Sequence, residues 1–305
     1  MLNNKTFLNK NFTKEGKPRA FVKLKKLDTL WFNTGTLCNL KCKGCYIESS
    51  PTNNSLKYIK FKSVKSYINE IIKNKMDTKT IGFTGGEPFM NPDIIEMLNL
   101  SLISGFQVLV LSNGLRPIEL KFKKLKELPN IKNLTIRLSI DHYQKTFHEK
   151  VRGINTWNKL IENIKWLYKN NFKLTFASRL EKDETEQEKR LGFAKLFNDL
   201  NLSIEVYNKE VLVLFPPMDQ ALPATEITQE CWSVLKKDPD SIMCSSSRMV
   251  VHKKEDLFAK VLACTLITKE KDFELGVELR NSKKIVYLNH PFCSQFCVLG
   301  NSSCS

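Results

Sequence analysis

No uninterrupted apolar run of about 18 residues occurs in this 305-residue sequence, so a membrane-spanning helix is not expected. Residues 1–26 are rich in Lys and Asn. They lack the apolar stretch and small-residue cleavage site of a secretory signal, so the expected location is the cytoplasm. Arginine is scarce too, 8 against 40 lysines. Grooves built for phosphates favour the planar guanidinium fork. A net charge of +16 carried by scattered lysines therefore reads as compositional bias, and nucleic acid is not the expected partner. Against these absences stand nine cysteines. In a chain long enough to bury its own core they read as metal ligands in a reducing compartment, not as a disulfide framework.

Three of them fall in TLCNLKCKGCY, residues 36–46, as Cys38, Cys42 and Cys45. Such spacing lets one short loop offer three thiolates to one centre. A fourth cysteine is missing. Structural zinc sites close with four ligands, and iron–sulfur clusters ordinarily take four cysteines, so three leave a position open for chemistry. Thiolates suit zinc, copper(I) and iron–sulfur clusters alike, and the loop alone does not choose among them.

Downstream, Thr84-Gly85-Gly86-Glu87-Pro88 follows an apolar segment, Ser112-Asn113-Gly114 ends another, and Ser139-Ile140-Asp141 ends a third; His148-Glu149 and Arg152-Gly153 come next. In this order, over roughly residues 30–180, the motifs resemble those of the radical S-adenosylmethionine (radical SAM) family. The resemblance implies that Cys38, Cys42 and Cys45 hold a 4Fe–4S cluster whose free iron binds S-adenosylmethionine. It implies that Glu87 and the backbone at Gly85 and Gly86 hold the methionine amino group, with Ser112, Asn113, Ser139 and Asp141 near the nucleoside. Arg179, also at a strand end, is placed to clamp the cofactor carboxylate, or else to pair with Glu181 or Asp183. Two positions depart from the family pattern. Gly44 stands where an aromatic usually precedes the third cysteine, leaving Tyr46 as the aromatic at hand, and His142 replaces a usual glycine.

Strand-like segments are expected at 29–33, 79–84, 106–111, 134–140, 173–179 and, as the pair 203–206 with 211–215, at the end of the series. Helical periodicity falls between them, from residue 63 and over 92–104, 119–128, 155–168 and 185–200, the last opened by a capping box at Thr185 and Glu188. Alternation of this kind argues for an α/β chain with a parallel sheet. Five or six units are too few for a closed eight-stranded barrel. The resemblance implies a partial (β/α)6 TIM-like barrel. Pro216-Pro217 makes a plausible boundary, dividing a basic extension (1–28) and the core (29–217) from a C-terminal cysteine-rich domain (218–305).

Six cysteines lie in that last region, beginning with Cys231. A hairpin is expected around residues 253–256, and the tail is too poor in aliphatics to hold itself without a staple. Cys244, Cys264, Cys293, Cys297 and Cys304 resemble the auxiliary-cluster (SPASM or twitch) extensions of some radical SAM enzymes. Six available cysteines favour one auxiliary 4Fe–4S cluster, on Cys244, Cys264, Cys293 and Cys297, with Cys304 the main rival and Cys231 a plain buried thiol. The expected partners are a reductant such as flavodoxin or ferredoxin, and a peptide or small-molecule substrate that is oxidatively modified. Two rivals stand beside this reading: a zinc-stabilised basic binding module, and a radical SAM enzyme acting on RNA.

Overall fold

The computed structural model describes residues 6–181, 183–216 and 224–300. Its centre is a sheet of six parallel strands in sequence order: β2 (Thr29–Asn33), β3 (Thr80–Thr84), β4 (Gln107–Ser112), β5 (Leu134–Ser139), β6 (Lys173–Arg179) and β7 (Leu212–Phe215). Parallel strands are covered on both faces and read as continuous apolar runs, as β2 does, all five of its residues being buried. The connections carry α1 (Phe61–Lys73), α2 (Ile94–Ile103), the short α3 (Arg116–Glu119) and α4 (Phe122–Lys126), α5 (Lys145–Arg152), α6 (Thr156–Lys169) and α7 (Glu186–Asp199). This is the expected partial (β/α)6 arrangement, open on one side.

Two apolar layers hold it. The larger packs the helices on the outer face of the sheet. A smaller one, Trp31, Leu56, Leu109, Met249, Val251 and Leu262, fills the inside of the curve. Gly82 on β3 serves that inner layer, because a Cβ there would lie 2.3 Å from the Trp31 indole.

The C-terminal region does not build a sheet of its own. β8 (Ser247–Val251) runs parallel to β2, and β9 (Lys260–Leu262) and β10 (Glu274–Gly276) continue antiparallel from it, giving nine strands in the order β10-β9-β8-β2-β3-β4-β5-β6-β7. The expected hairpin is thus β8–β9. Residues 21–22 (β1) pair with residues 286–287 (β11), and Arg19, fully buried, meets Glu226 at 2.5 Å. The basic extension is stitched to the C-terminal region instead of trailing free. Pro217, at the expected boundary, lies outside the described residues.

Several boundaries differ from expectation. The helix expected over 119–128 is two short turns, with Pro117 starting the first early and Leu120 ending it. Residues 203–206 form no strand: Val206 N–H turns back to Ile204 O, after a left-handed Asn201. α5 was not marked by an apolar stripe, since only His148 is buried along it. The Thr185–Glu188 capping box is present in both directions.

Candidate active site and a second cysteine cavity

At the carboxyl ends of β2 to β6 the loops converge on the cysteine loop, where ligands gather in parallel α/β sheets. The loop is closed at its base: Cys38 N–H donates to Ser50 O (3.1 Å), and buried Thr36 Oγ1 donates to Asn53 O (3.0 Å) while accepting from Leu56 N–H (3.1 Å). Its tip is held from two other elements. Lys43 N–H donates to Val151 O on α5 (2.9 Å), and Arg179 Nη1 at the end of β6 donates to Lys43 O (2.8 Å). Gly44 sits under that guanidinium at φ +66°, and a Cβ there would lie 3.1 Å from Arg179 Nη1. The glycine that departs from the family pattern is therefore required by backbone and by space. Tyr46, two residues on, lines the cavity.

Gly85 and Gly86 press against the base of the same loop. Gly86 N–H donates to Gly35 O (2.7 Å) and Glu87 N–H to Leu37 O (3.1 Å). A Cβ on Gly86 would lie 2.2 Å from Leu37 O, and one on Gly85 2.7 Å from Gly35 O at φ +134°. Both glycines also line the cavity; Glu87 does not. Its buried carboxylate accepts from Phe89 N–H (3.1 Å), Ser112 Oγ (2.9 Å) and Asn113 N–H (2.8 Å), and burial pushes its pKa up to about 7. In this structure the Glu87 side chain makes an anchoring contact: it ties the end of β3 to the end of β4.

Ser112, Asn113, Ser139 and Asp141 all line the cavity. Asn113 Nδ2 donates to Asn39 Oδ1 (2.9 Å) and lies 3.7 Å from Cys38 Sγ. Asp141 is already engaged, by Arg152 Nε at 2.6 Å and Arg179 Nε at 3.2 Å. Burial opposes its charge, but the two guanidinium groups outweigh burial and hold its carboxyl below the ordinary range. Arg179 pairs with Asp141, not with Glu181 or Asp183. His148 is fully buried, its Nδ1 accepting from Asp141 N–H (3.3 Å), and His142 sits beside Glu184 (3.8 Å) outside the cavity wall. Trp31, Ser178, Phe215, Thr265, Leu266 and Phe296 also line the wall and were not expected there. Trp31 and Phe215 lie in apolar strands, Ser178, Thr265 and Phe296 stand beside Arg179, Cys264 and Cys297, and half of the six come from the C-terminal region.

The donor set fits an iron–sulfur cluster. Leu40 N–H donates to Cys38 Sγ (3.4 Å), a bond that favours thiolate. Burial otherwise pushes the Cys38 thiol up to about 12 and raises Cys42, and a metal bound there would displace those protons. In a cluster each thiolate takes its own iron, and three thiolates leave one iron open.

A second, apolar cavity lies behind the first. Cys244, Cys264, Cys293 and Cys297 all line it, with Leu266, Phe273, Val286, Leu288 and Phe292 among its walls. Leu266 N–H donates to Cys264 Sγ (3.3 Å), and burial raises the thiols of Cys244, to about 12, and of Cys264 and Cys293. Cys231, half-buried against Thr228 Oγ1, is not in the wall, and Cys304 lies outside the described residues. One segment separates the cavities: Cys264 faces the rear one, Thr265 the front one, and Leu266 lines both.

The family described as the radical SAM superfamily matches residues 32–190, just over half of the chain. YydG of Bacillus subtilis (strain 168), provisionally named a peptide biosynthesis protein, is 24% identical over 280 residues, covering 85% of this chain and 79% of its own. The antilisterial bacteriocin subtilosin biosynthesis protein AlbA of the same strain is 31% identical over 116 residues, 38% of this chain and 25% of its own. Among solved structures, Streptococcus suis SuiB bound to S-adenosylmethionine superposes with a TM-score of 0.58 at 12% identity, covering 82% of this chain and 63% of SuiB, and SuiB has also been solved with its precursor peptide SuiA. That likeness is one of fold. The chain spans less than two thirds of SuiB and a quarter of AlbA.

Proposed function

The chain belongs to the radical SAM superfamily, and from that premise we propose that it oxidatively modifies a peptide bound between the front cavity and the C-terminal region. When bound at the open iron of a reduced cluster, S-adenosylmethionine supplies a 5′-deoxyadenosyl radical by cleavage of its sulfonium C–S bond. The chain's own part is to seat, orient and exclude water. Cys38, Cys42 and Cys45 are the cluster ligands in this reading. The backbone of Gly85 and Gly86 and the hydroxyls of Ser112 and Ser139 receive the cofactor, Tyr46 stacks on it, and Asn113 steadies the Cys38 thiolate. Asp141 holds Arg152 and Arg179 at the rim, where Arg179 remains the candidate for the cofactor carboxylate. Trp31, Leu111, Phe215 and Phe296 keep water out.

One observation carries the reading: three ligand thiols and the polar strand ends face a single cavity whose remaining wall is the segment next to the rear cysteines. A second 4Fe–4S cluster on Cys244, Cys264, Cys293 and Cys297 then lies one residue of wall away, suitably placed to take the electron that a net oxidation releases. A peptide is favoured because YydG and AlbA are named for peptide and bacteriocin biosynthesis and SuiB binds a precursor peptide. A flavodoxin or ferredoxin serves as donor. Among the described residues no helix is long and apolar enough to cross a membrane.

Anaerobic incubation with dithionite and S-adenosylmethionine is expected to yield 5′-deoxyadenosine, and Cys42→Ala to abolish it. Deuterium should pass into that product from a deuterated peptide pool. Transfer from a peptide-free metabolite extract alone would overturn the peptide assignment.

A further inference from the structure

Arg248, on β8 behind the rear cavity, is 0% exposed. Its donors end on neutral carbonyls: Nε and Nη2 on Ser282 O (3.0 and 2.8 Å), Nη1 on Cys244 O (2.5 Å) and Ser247 O (2.7 Å). The comparably buried Arg19 and Arg190 each have a carboxylate, Glu226 at 2.5 Å and Glu186 at 2.9 Å. Among the described residues Arg248 has none within ion-pair reach. A buried cation without a counter-ion is strongly unfavourable, and carbonyl dipoles offset only part of that. An arginine guanidinium stays protonated in a protein. The direct link of Arg248 to the rear cavity is Cys244, whose own carbonyl takes Nη1.

Other charges around the rear cysteines are of lower weight. Lys237 Nζ, partly exposed, donates to Cys297 O (2.6 Å) and Val298 O (2.8 Å); Arg19 acts on Cys293 but is already paired; Glu270 faces Cys264 and lies 3.7 Å from His290.

We propose that Arg248 is the buried counter-ion of an anionic iron–sulfur group held by Cys244, Cys264, Cys293 and Cys297, and that it sets the reduction potential of that group. The inference rests on the rear cavity being a cluster site. Four thiolates outweigh the positive charge of an iron–sulfide core, so the liganded group is anionic and gains another negative charge on reduction. A fixed, buried guanidinium hydrogen-bonded to the backbone of Cys244 stabilises the reduced form more than the oxidised one. Arg248 is in this sense a positioning and tuning residue, with no contact to substrate.

The test compares wild type, Arg248→Met and Arg248→Lys in the iron-loaded protein, by redox titration followed by electron paramagnetic resonance. In Arg248→Met the reduction equilibrium of the rear centre should become at least tenfold less favourable, 59 mV for a one-electron couple. The front centre serves as the unmoved reference, and Arg248→Lys should keep the wild-type potential. Thermal midpoints with and without iron separate this from a purely structural role. Arg248→Met should lower the midpoint of the loaded chain and leave the iron-free chain no less stable than wild type. An unchanged rear potential, or an equal loss of stability in both states, overturns the proposal. Should Arg248→Met lose the rear iron, the iron-free comparison decides alone: an undiminished midpoint supports it, and a lowered one or failure to fold overturns it. Iron and sulfide counts tell this failure from failure of the underlying reading. Wild-type protein carrying only the front complement of iron would sink both, whereas rear iron with an unmoved potential sinks only Arg248.

Discussion

The front and rear cysteine groups solve opposite problems. In front, three thiols come from eight consecutive residues, Cys42 and Cys45 stay half-exposed, and the cavity of about 170 Å³ is edged by hydroxyls, an amide and an ion-paired carboxylate. Behind, four thiols come from three separated segments, Cys244 and Cys293 buried and Cys264 and Cys297 half-buried, around an apolar space of about 20 Å³, little more than one water fills. A site that must admit and release a diffusible nucleoside is built on a local loop and left open. The proposed rear centre is instead assembled from distant chain among apolar side chains. On the proposed reading, the rear ligands serve folding as well as chemistry, while the front ones serve chemistry on a scaffold that stands without them.

The largest effects should divide along that line. Cys264→Ala is expected to remove the rear iron and destabilise residues 240–300 by more than about 4 kcal/mol, beyond the range of ordinary substitutions, since binding energy at a structural metal is folding energy. Cys42→Ala should remove the front iron and all 5′-deoxyadenosine formation with little change in thermal midpoint. Hydrogen exchange resolved along the chain measures both. Equal destabilisation by the two variants would break the comparison.

Next in size is Gly86→Ala. Its Cβ would lie 2.2 Å from Leu37 O, backbone against backbone, so no rotamer relieves it. About 3 kcal/mol of destabilisation is expected, together with loss of front iron and retention of the rear. Lys237→Met sharpens the rear side in the same manner on a smaller scale. Being partly exposed, its ammonium is screened, and the rear potential should move less than threefold, in the direction expected for Arg248→Met. A larger shift than that of Arg248→Met would relocate the counter-ion.

How much of this was legible in the sequence follows from the same contrast. The front cysteines stand within one loop and the polar residues expected beside them end apolar strands, so the resemblance together with strand order gathered Ser112, Asn113, Ser139 and Asp141 in one place. What spacing could not tell was which of their atoms are already engaged. Glu87 faces three donors from 25 residues downstream and its own turn, and Asp141 holds two arginines from different elements. Neither commitment leaves a local mark. Of the six C-terminal cysteines, the favoured four came from the resemblance, with Cys304 the rival, and Cys304 lies outside the described residues. The pairing of β8 with β2, more than 200 residues apart in sequence, could not be inferred, because any buried five-residue apolar strand fits that edge equally well. The Ser203–Val206 segment misled for the converse reason: its apolar residues pack from a turn, and periodicity over four residues does not separate a strand from a turn.

A further expected effect is a pH dependence in the front half. His148 is wholly buried and His142 nearly so, and burial holds each near a pKa of about 4, with Arg152 and Lys189 respectively pushing the same way. The unfolded chain takes those protons near pH 6.5, the ordinary value. Between that pH and about 4 the unfolded state therefore binds more protons than the folded one, so stability falls as pH falls through this window and is fully present above it. Each histidine contributes at most about 3 kcal/mol over the window, His142 less because solvent reaches part of its ring. In the iron-free chain, where cluster acid-lability plays no part, His148→Asn should flatten the pH dependence of stability by up to about 1.4 kcal/mol per pH unit between pH 6 and 5. Opening of the segment around α5, followed by hydrogen exchange, should show the same change while residues 240–300 do not. Identical slopes in the variant and the wild type would mean that His148 titrates normally in the folded chain, and that its contact with Asp141 N–H holds no neutral imidazole in place.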